Sequence, residues 1–244
     1  MTSGEAVELV GPGGRPMRSF TVAISAEAMA LAWARQEDAP PLAVVVVDHE
    51  VSPRGLHGRI WAVPATATLA FAVVLRPTVL AADEADAVWL AAGLAGAIGA
   101  EAASGRSMVT SWPDAVADGE SGSAVAMAKA EVQLGPGQVT SAVATFRFDL
   151  DALGHDRRDR LFAAVLGALD DIAADLDRDP GDVAASYSSR CELVGKRVRA
   201  VLLPRGEARG TVRGANRHGQ LELESSTGMV ERVGVSQLRT LEER

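Results

Sequence analysis

The sequence predicts an α+β protein, a mixed β-sheet packed with helices and followed by a small all-β module. Three observations carry this. Apolar runs of strand length, LAVVVV at 42–47 and LAFAVVL at 69–75, alternate with segments of helical period, as expected of strands covered on both faces. The segment RLFAAVLGALDDIAADL at 160–176 puts Leu161, Val165, Leu169, Ile172 and Leu176 on one helix face. From Gly195 the texture changes to short runs, RVRAVLL, ARGTVRG, QLELES and MVERV, separated by turn residues, the signature of a small barrel of about 50 residues.

Taken in order, residues 1–17 read as a flexible leader, because GPGG and Pro16 interrupt any period. FTVAI (20–24) reads as a strand and SAEAMALAWARQ (25–36) as a helix with Ser25 at its N-cap; Trp33 on that helix is expected in the core. After LAVVVV comes the loop SPRGLHGRIW (52–61), then LAFAVVL, ended by Arg76-Pro77. The next helix opens on Asp83 and Glu84, acids suited to its positive end, and buries Leu90, Leu94 and Ile98. Gly93 and Gly96 point to close packing on a sheet. MVTSW (108–112), AVAMAKAEV and VTSAVATFRF (139–148) read as strands, with the turn LGPGQ between the last two. Asp179-Pro180-Gly181 is a strong stop to the long helix. The expected division is a leader (1–17), a main domain (18–190) and a β module (191–244).

Composition narrows the function classes. The net charge is −8, yet residues 196–244 carry about +4 and the remainder about −12, so a nucleic-acid role has no global electrostatic support. One cysteine, Cys191, excludes an intrachain disulfide and a multi-cysteine metal site, and the four histidines are scattered; no metal site is expected. No apolar run approaches the roughly 18 to 20 residues of a membrane span, and the first residues lack a basic, then apolar, targeting pattern. A cytoplasmic protein with no membrane partner is the expectation.

The loop at 52–61 carries the chemistry. Glycines let a backbone approach an anion, N–H groups donate to it, and arginine adds charge-assisted bonds to phosphate or carboxylate. Within it Arg54 and Arg59 supply charge, and Gly55 and Gly58 supply access.

These residues, in their order, resemble the biotin-protein ligases. The ligase loop G-R-G-R-x-G-R-x-W is matched by the run from Pro53 to Trp61, the strand ending L-R-P by Leu75-Arg76-Pro77, and L-A-A-G-L-A by Leu90-Ala91-Ala92-Gly93-Leu94-Ala95. K-W-P-N-D is matched by Ser111-Trp112-Pro113-Asp114-Ala115, and the closing module, with Gly195-Lys196-Arg197-Val198 and Gly210-Thr211-Val212, resembles the family's SH3-like domain. The resemblance implies a ligase catalytic domain that makes biotinyl-AMP from biotin and ATP with magnesium and passes biotin to a lysine of a carboxylase carrier domain. It also allows for a homodimer. The catalytic residues it implies are Arg54, Arg59 and Asp114; the ligand-binding ones are Ser25, Glu50, Arg54, Gly55, His57, Gly58, Arg59, Trp61, Trp112 and Arg147. Members that bind operators carry an additional winged-helix domain, for which the 17-residue leader is too short, so no operator binding is expected.

The departures are as specific as the matches. The family's ureido-binding glutamine falls on Glu50, a carboxylate that accepts but cannot donate. Leu56 stands for the middle arginine and Pro53 for the first glycine, and S-T-N becomes Ser25-Ala26-Glu27. The lysine of K-L-A-G-I-L falls on Ala124 when Glu131 is aligned with the acid that follows it; Lys129, five residues on, is expected exposed on the opposite face unless a bulge intervenes. G-x-G-x-N becomes Val143-Ala144-Thr145-Phe146-Arg147, where Arg147 would supply the missing charge. Two functions from different classes stand: a ligase with a divergent site, using Arg54, Arg59, Asp114 and one of Lys129 or Arg147, and a non-catalytic homologue that binds a carrier, a partner or another acid. A lipoate ligase is disfavoured by Trp61 and the closing module.

Overall fold

The computed structural model describes residues 6–59 and 67–244. The first sheet is built from β1 (Val7–Val10), β2 (Pro16–Ala23), β3 (Val44–Glu50), β4 (Thr68–Leu75), β5 (Met108–Ser111), β6 (Ala115–Asp118), β7 (Ala124–Leu134) and β8 (Val139–Asp149). Its order is β1-β2-β3-β4-β8-β7-β6-β5. The parallel pair β2 and β3 is joined through α1 (Ala26–Gln36), and the other neighbours are antiparallel. The second sheet, β12-β11-β10-β9-β13, is five-stranded and antiparallel; it uses β9 (Arg197–Leu202), β10 (Glu207–Ala215), β11 (Leu221–Glu224), β12 (Val230–Val233) and β13 (Leu238–Glu243).

The two faces of the large sheet have different covers. Ala144, Phe146 and Phe148 of β8 face α2 (Ala87–Ser104) and α4 (Arg158–Arg178), which α3 (Leu150–Leu153) precedes, and Phe146 stacks on Phe71 with centroids 5.0 Å apart. The alternate residues Val143, Thr145 and Arg147 face α1, where Phe20, Ala26, Ala30, Trp33, Val45 and Val74 make a smaller core. This face is apolar along most of α1 and turns polar at its N-terminus.

Several expectations are corrected. Residues 7–17 are not a leader: β1 pairs with β2, and GPGG is the turn between them, with Gly13 and Gly14 at φ 73° and 77°. Arg15 anchors the hairpin, donating to Asp170 at 2.7 Å. Asp179-Pro180-Gly181 stops α4 and at once starts α5 (Pro180–Arg190), because Asp179 accepts from Gly181 N at 2.8 Å as an N-cap and proline suits the first helical position. α2 is, by length and composition, able to cross a membrane, where the sequence reading found no such run; 78% of that stretch is buried inside the protein. Cys191 is buried and bridges to Thr110 beside the junction of the two sheets.

Candidate functional site

The loop after β3 holds its own shape. Val51 N and Ser52 N donate to Ala23 O and Ile24 O, both at 2.9 Å, which extends the β2–β3 pairing before the chain turns away. Gly55 N then donates to Arg59 O at 2.8 Å, Gly58 N to Gly55 O at 3.1 Å and Arg59 N to Leu56 O at 3.2 Å. The backbone donors expected to meet an anion are therefore spent inside the loop. Arg54 is exposed and folds back on Gly58 O at 3.2 Å. His57, at φ 53°, reaches the second sheet, its Nε2–H donating to Leu238 O at 2.6 Å. Trp61 lies outside the described residues.

Two clefts flank this loop. One of about 320 Å³ is lined by Gly55, Arg59, Trp112, Asp114, Met127 and Arg239, so it lies between the loop, the large sheet and β13. The other, about 370 Å³, runs past His57 and Gly58 to Asp86 and Trp89 of the α2 entrance and to Val235. Trp112 is 2% exposed and its Nε1–H points at Gly219 O, 3.4 Å away, so it is as much a packing residue at the seam as a cleft wall. Burial pushes the Asp114 carboxyl up to about 6, against the opposing pull of a backbone hydrogen bond and of the Lys129 and Arg59 charges.

Beneath the N-terminus of α1 lies a set of charged side chains. Ser25 Oγ caps the helix, accepting from Ala28 N at 3.1 Å, and Glu50 Oε1 accepts from Ala26 N at 2.9 Å. The other oxygen of Glu50 pairs with Arg147 Nη1 at 3.2 Å, and Glu27 Oε2 pairs with Lys129 Nζ at 2.5 Å. Burial pushes the Glu27 carboxyl up, partly offset by Lys129; Glu50 is raised by the same cause, offset by the Ala26 N–H and Arg147. The expectation of an exposed Lys129 is wrong: it is 2% exposed, on β7 directly across from Thr145. The register explains its side. Val116 pairs with Ala126 but Ala117 with Ala124, so Val125 is an extra residue, and it joins Ala126 in the α2-side core. The bulge that the parity argument allowed for is present. Two buried polar atoms here have no protein partner, Thr145 Oγ1 and Arg147 Nε.

Of the residues read from sequence, Ser25, Glu50 and Arg147 thus come together under α1, while Arg59, Trp112 and Asp114 meet in the neighbouring cleft. Arg54 and His57 do neither, serving the loop and its anchor. Sequence reasoning missed Glu27 and Thr145 as members of the site, and Arg239 as a cleft residue. The spacing of Thr145 and Arg147, two apart on one strand, was the available signal. Among the described residues no group of three His, Cys, Asp or Glu is placed to hold a metal ion.

No protein-family model matches the sequence, and no curated protein matches it. Solved structures do match. A biotin protein ligase from Aquifex aeolicus in complex with biotin and ATP superposes with a TM-score of 0.71 at 16% identity, covering 93% of this chain and 99% of that one. A biotin protein ligase-like protein of unknown function from a Silicibacter species gives 0.69 at 14% identity, over 93% and 96%. The Leishmania major biotin protein ligase in complex with biotinyl-5-AMP gives 0.58 at 16%, over 89% and 98%. At these identities it is the architecture that is shared, over nearly the whole chain: this protein has the fold of the biotin protein ligases.

Proposed function

We propose that this chain is a biotin-protein-ligase-like binding protein that does not form biotinyl adenylate. The observation that carries this is the pair of buried ion pairs, Glu27–Lys129 and Glu50–Arg147, on the sheet face under α1. The resemblance in sequence implies that position 50 meets the ring of biotin as a glutamine; Glu50 has one oxygen on Ala26 N–H and the other on Arg147, and has no proton donor to offer. An apolar bicyclic ring set among these charges would strip them of their partners without replacing them.

Adenylation also needs cations held where charge builds up on the α-phosphate. The inherited position, Ala124, offers none, and Lys129 and Arg147 are each committed to a glutamate. Loss of one such preorganised group costs about 3–4 kcal/mol in barrier, two to three decades in rate. Arg59 and Arg239 on the cleft wall suit an anionic group, whether a nucleotide phosphate or an acidic stretch of a carrier domain. Magnesium fits less well. It is ordinarily held by one or two carboxylates and substrate phosphates, and Asp114 is the single carboxylate lining that cleft, with its ionisation opposed by burial. A carrier-type domain is the partner the resemblance favours.

The test is biotin-dependent exchange of pyrophosphate into ATP, which needs no acceptor protein. No exchange above a blank without biotin is expected. Exchange at a rate comparable to a biotin protein ligase run alongside would overturn the proposal in favour of an active ligase using Arg59, Asp114 and Lys129.

A further inference from the structure

The strip beneath the N-terminus of α1 is incompletely satisfied, in a way that specifies what it would hold. Thr145 is 2% exposed, and its hydroxyl has no partner. Two residues on, roughly 6.6 Å along the same strand face, Arg147 meets Glu50 through Nη1 and leaves Nε, also buried, without a partner. The Nε edge of a guanidinium is one that takes a carboxylate side-on. Idle buried donors are costly, and two adjacent ones on one face make a place for an acceptor.

Charge balance restricts what brings that acceptor. The four charged groups around the strip, Glu27, Glu50, Lys129 and Arg147, sum to zero. A bare carboxylate would leave a net negative charge in the interior, and a bare amine a net positive one, each costly where water is excluded. Both glutamates are also held above the usual carboxylate range by burial, so the bases present do not fully compensate them. A molecule of zero net charge carrying one group of each sign compensates both sides at once.

We propose that this strip is a binding site for a small zwitterionic amino acid, its carboxylate accepting from Thr145 Oγ1 and Arg147 Nε and its ammonium donating to the Glu27 carboxylate. This rests on the reading that the face no longer serves biotin, and it names the class of molecule that replaces it.

The experiment is calorimetric titration of the full chain with glycine, β-alanine, 4-aminobutyrate and 5-aminovalerate, with acetate, acetamide, ethylamine and biotin alongside. At least one of the four zwitterions is expected to bind tenfold or more tightly than acetate, acetamide and ethylamine. Thr145→Val and Arg147→Lys are each expected to weaken it about tenfold; the lysine keeps a cation for Glu50, and if that variant fails to fold, Thr145→Val decides alone. Absence of binding by all four, tighter binding of acetate, acetamide or ethylamine, or unchanged affinity in a folded variant overturns the proposal. The failures are separable: biotin-driven pyrophosphate exchange sinks the reading of the protein as non-adenylating, whereas no exchange together with no zwitterion binding sinks only this assignment.

Discussion

Lys129 shows how far single residues can be read. Its burial depends on Val125, one residue inserted into the ladder against Val116 and Ala117, and AVAMAKAEV looks the same with or without that insertion. Strand parity therefore gives the wrong side. Ser25, by contrast, was legible as a cap because capping needs only local chemistry. With Lys129 paired to Glu27, whose side chain is 14% exposed, Lys129→Ala strands a buried carboxylate and is expected to cost about 3–5 kcal/mol in urea unfolding. An exposed strand lysine would cost within about 0.5 kcal/mol. Asp114 gives a pH signature. Its folded pKa, about 6, lies above the model value of 3.8, so between these the folded state binds more protons than the unfolded one. The stabilising contribution is then full below about pH 3.8 and is lost as the pH rises through 6, by up to about 3 kcal/mol at 1.36 kcal/mol per unit. Asp114→Asn is expected to gain on the wild type between pH 5 and pH 7.5, the difference between their urea midpoints widening across that window; a constant difference would count against the burial of this carboxyl.

At the scale of elements, long periodic segments were legible and punctuation was not. LAVVVV, LAFAVVL and the stripe from Leu161 to Leu176 became β3, β4 and α4, because burial on this scale leaves a period in the sequence. GPGG and Asp179-Pro180-Gly181 were read as breaks, yet each joins two elements, and the same turn chemistry serves both purposes. Short β6 (Ala115–Asp118) carried no period long enough to notice. The glycines of α2 were read as packing on a sheet, which holds for Gly96: a Cβ there meets Val116 Cγ2 at 3.3 Å. Gly99 faces a helix instead, where a Cβ would stand 2.7 Å from the Val165 Cα and backbone N of α4. Backbone cannot yield as a side chain can. Gly99→Ala is expected to cost about 1–3 kcal/mol or more from overpacking, whereas Gly96→Ala falls near neutral because gained helix propensity of about 1 kcal/mol offsets a small contact shift. Thermal unfolding of the two variants measured together checks the ranking, and equal midpoints would contradict the close crossing of α2 and α4.

For the whole molecule, the change of texture after Gly195 announced a second unit, but nothing in the sequence said how firmly it is docked. One core cluster runs through both sheets, from Leu90 and Met108 to Val198 and Leu221. Polar contacts close the seam: Arg217 to Glu84 at 2.7 Å, Val235 N to Asp86 Oδ2 at 3.1 Å, and Ala215 N to Ser188 Oγ at 2.8 Å. These partners are far apart in the chain, so local reasoning could not pair them. Gly219 sits where the units come closest. Its φ is +77°, and a Cβ on it would lie 2.2 Å from the Asp86 carbonyl carbon, so an added methyl is both strained and pressed against backbone. Gly219→Ala must push the small sheet away from the α2 entrance, loosening Trp112 Nε1–H from Gly219 O and widening the clefts beside the loop. The wild type is expected to unfold in a single transition, since a continuous core couples the two sheets. The variant is expected to show an early transition, together with protease cleavage near Gly195 that the wild type resists. If it instead unfolds as one unit at the wild-type midpoint, the seam is soft, and the clefts between the two sheets owe nothing to the docking of the second.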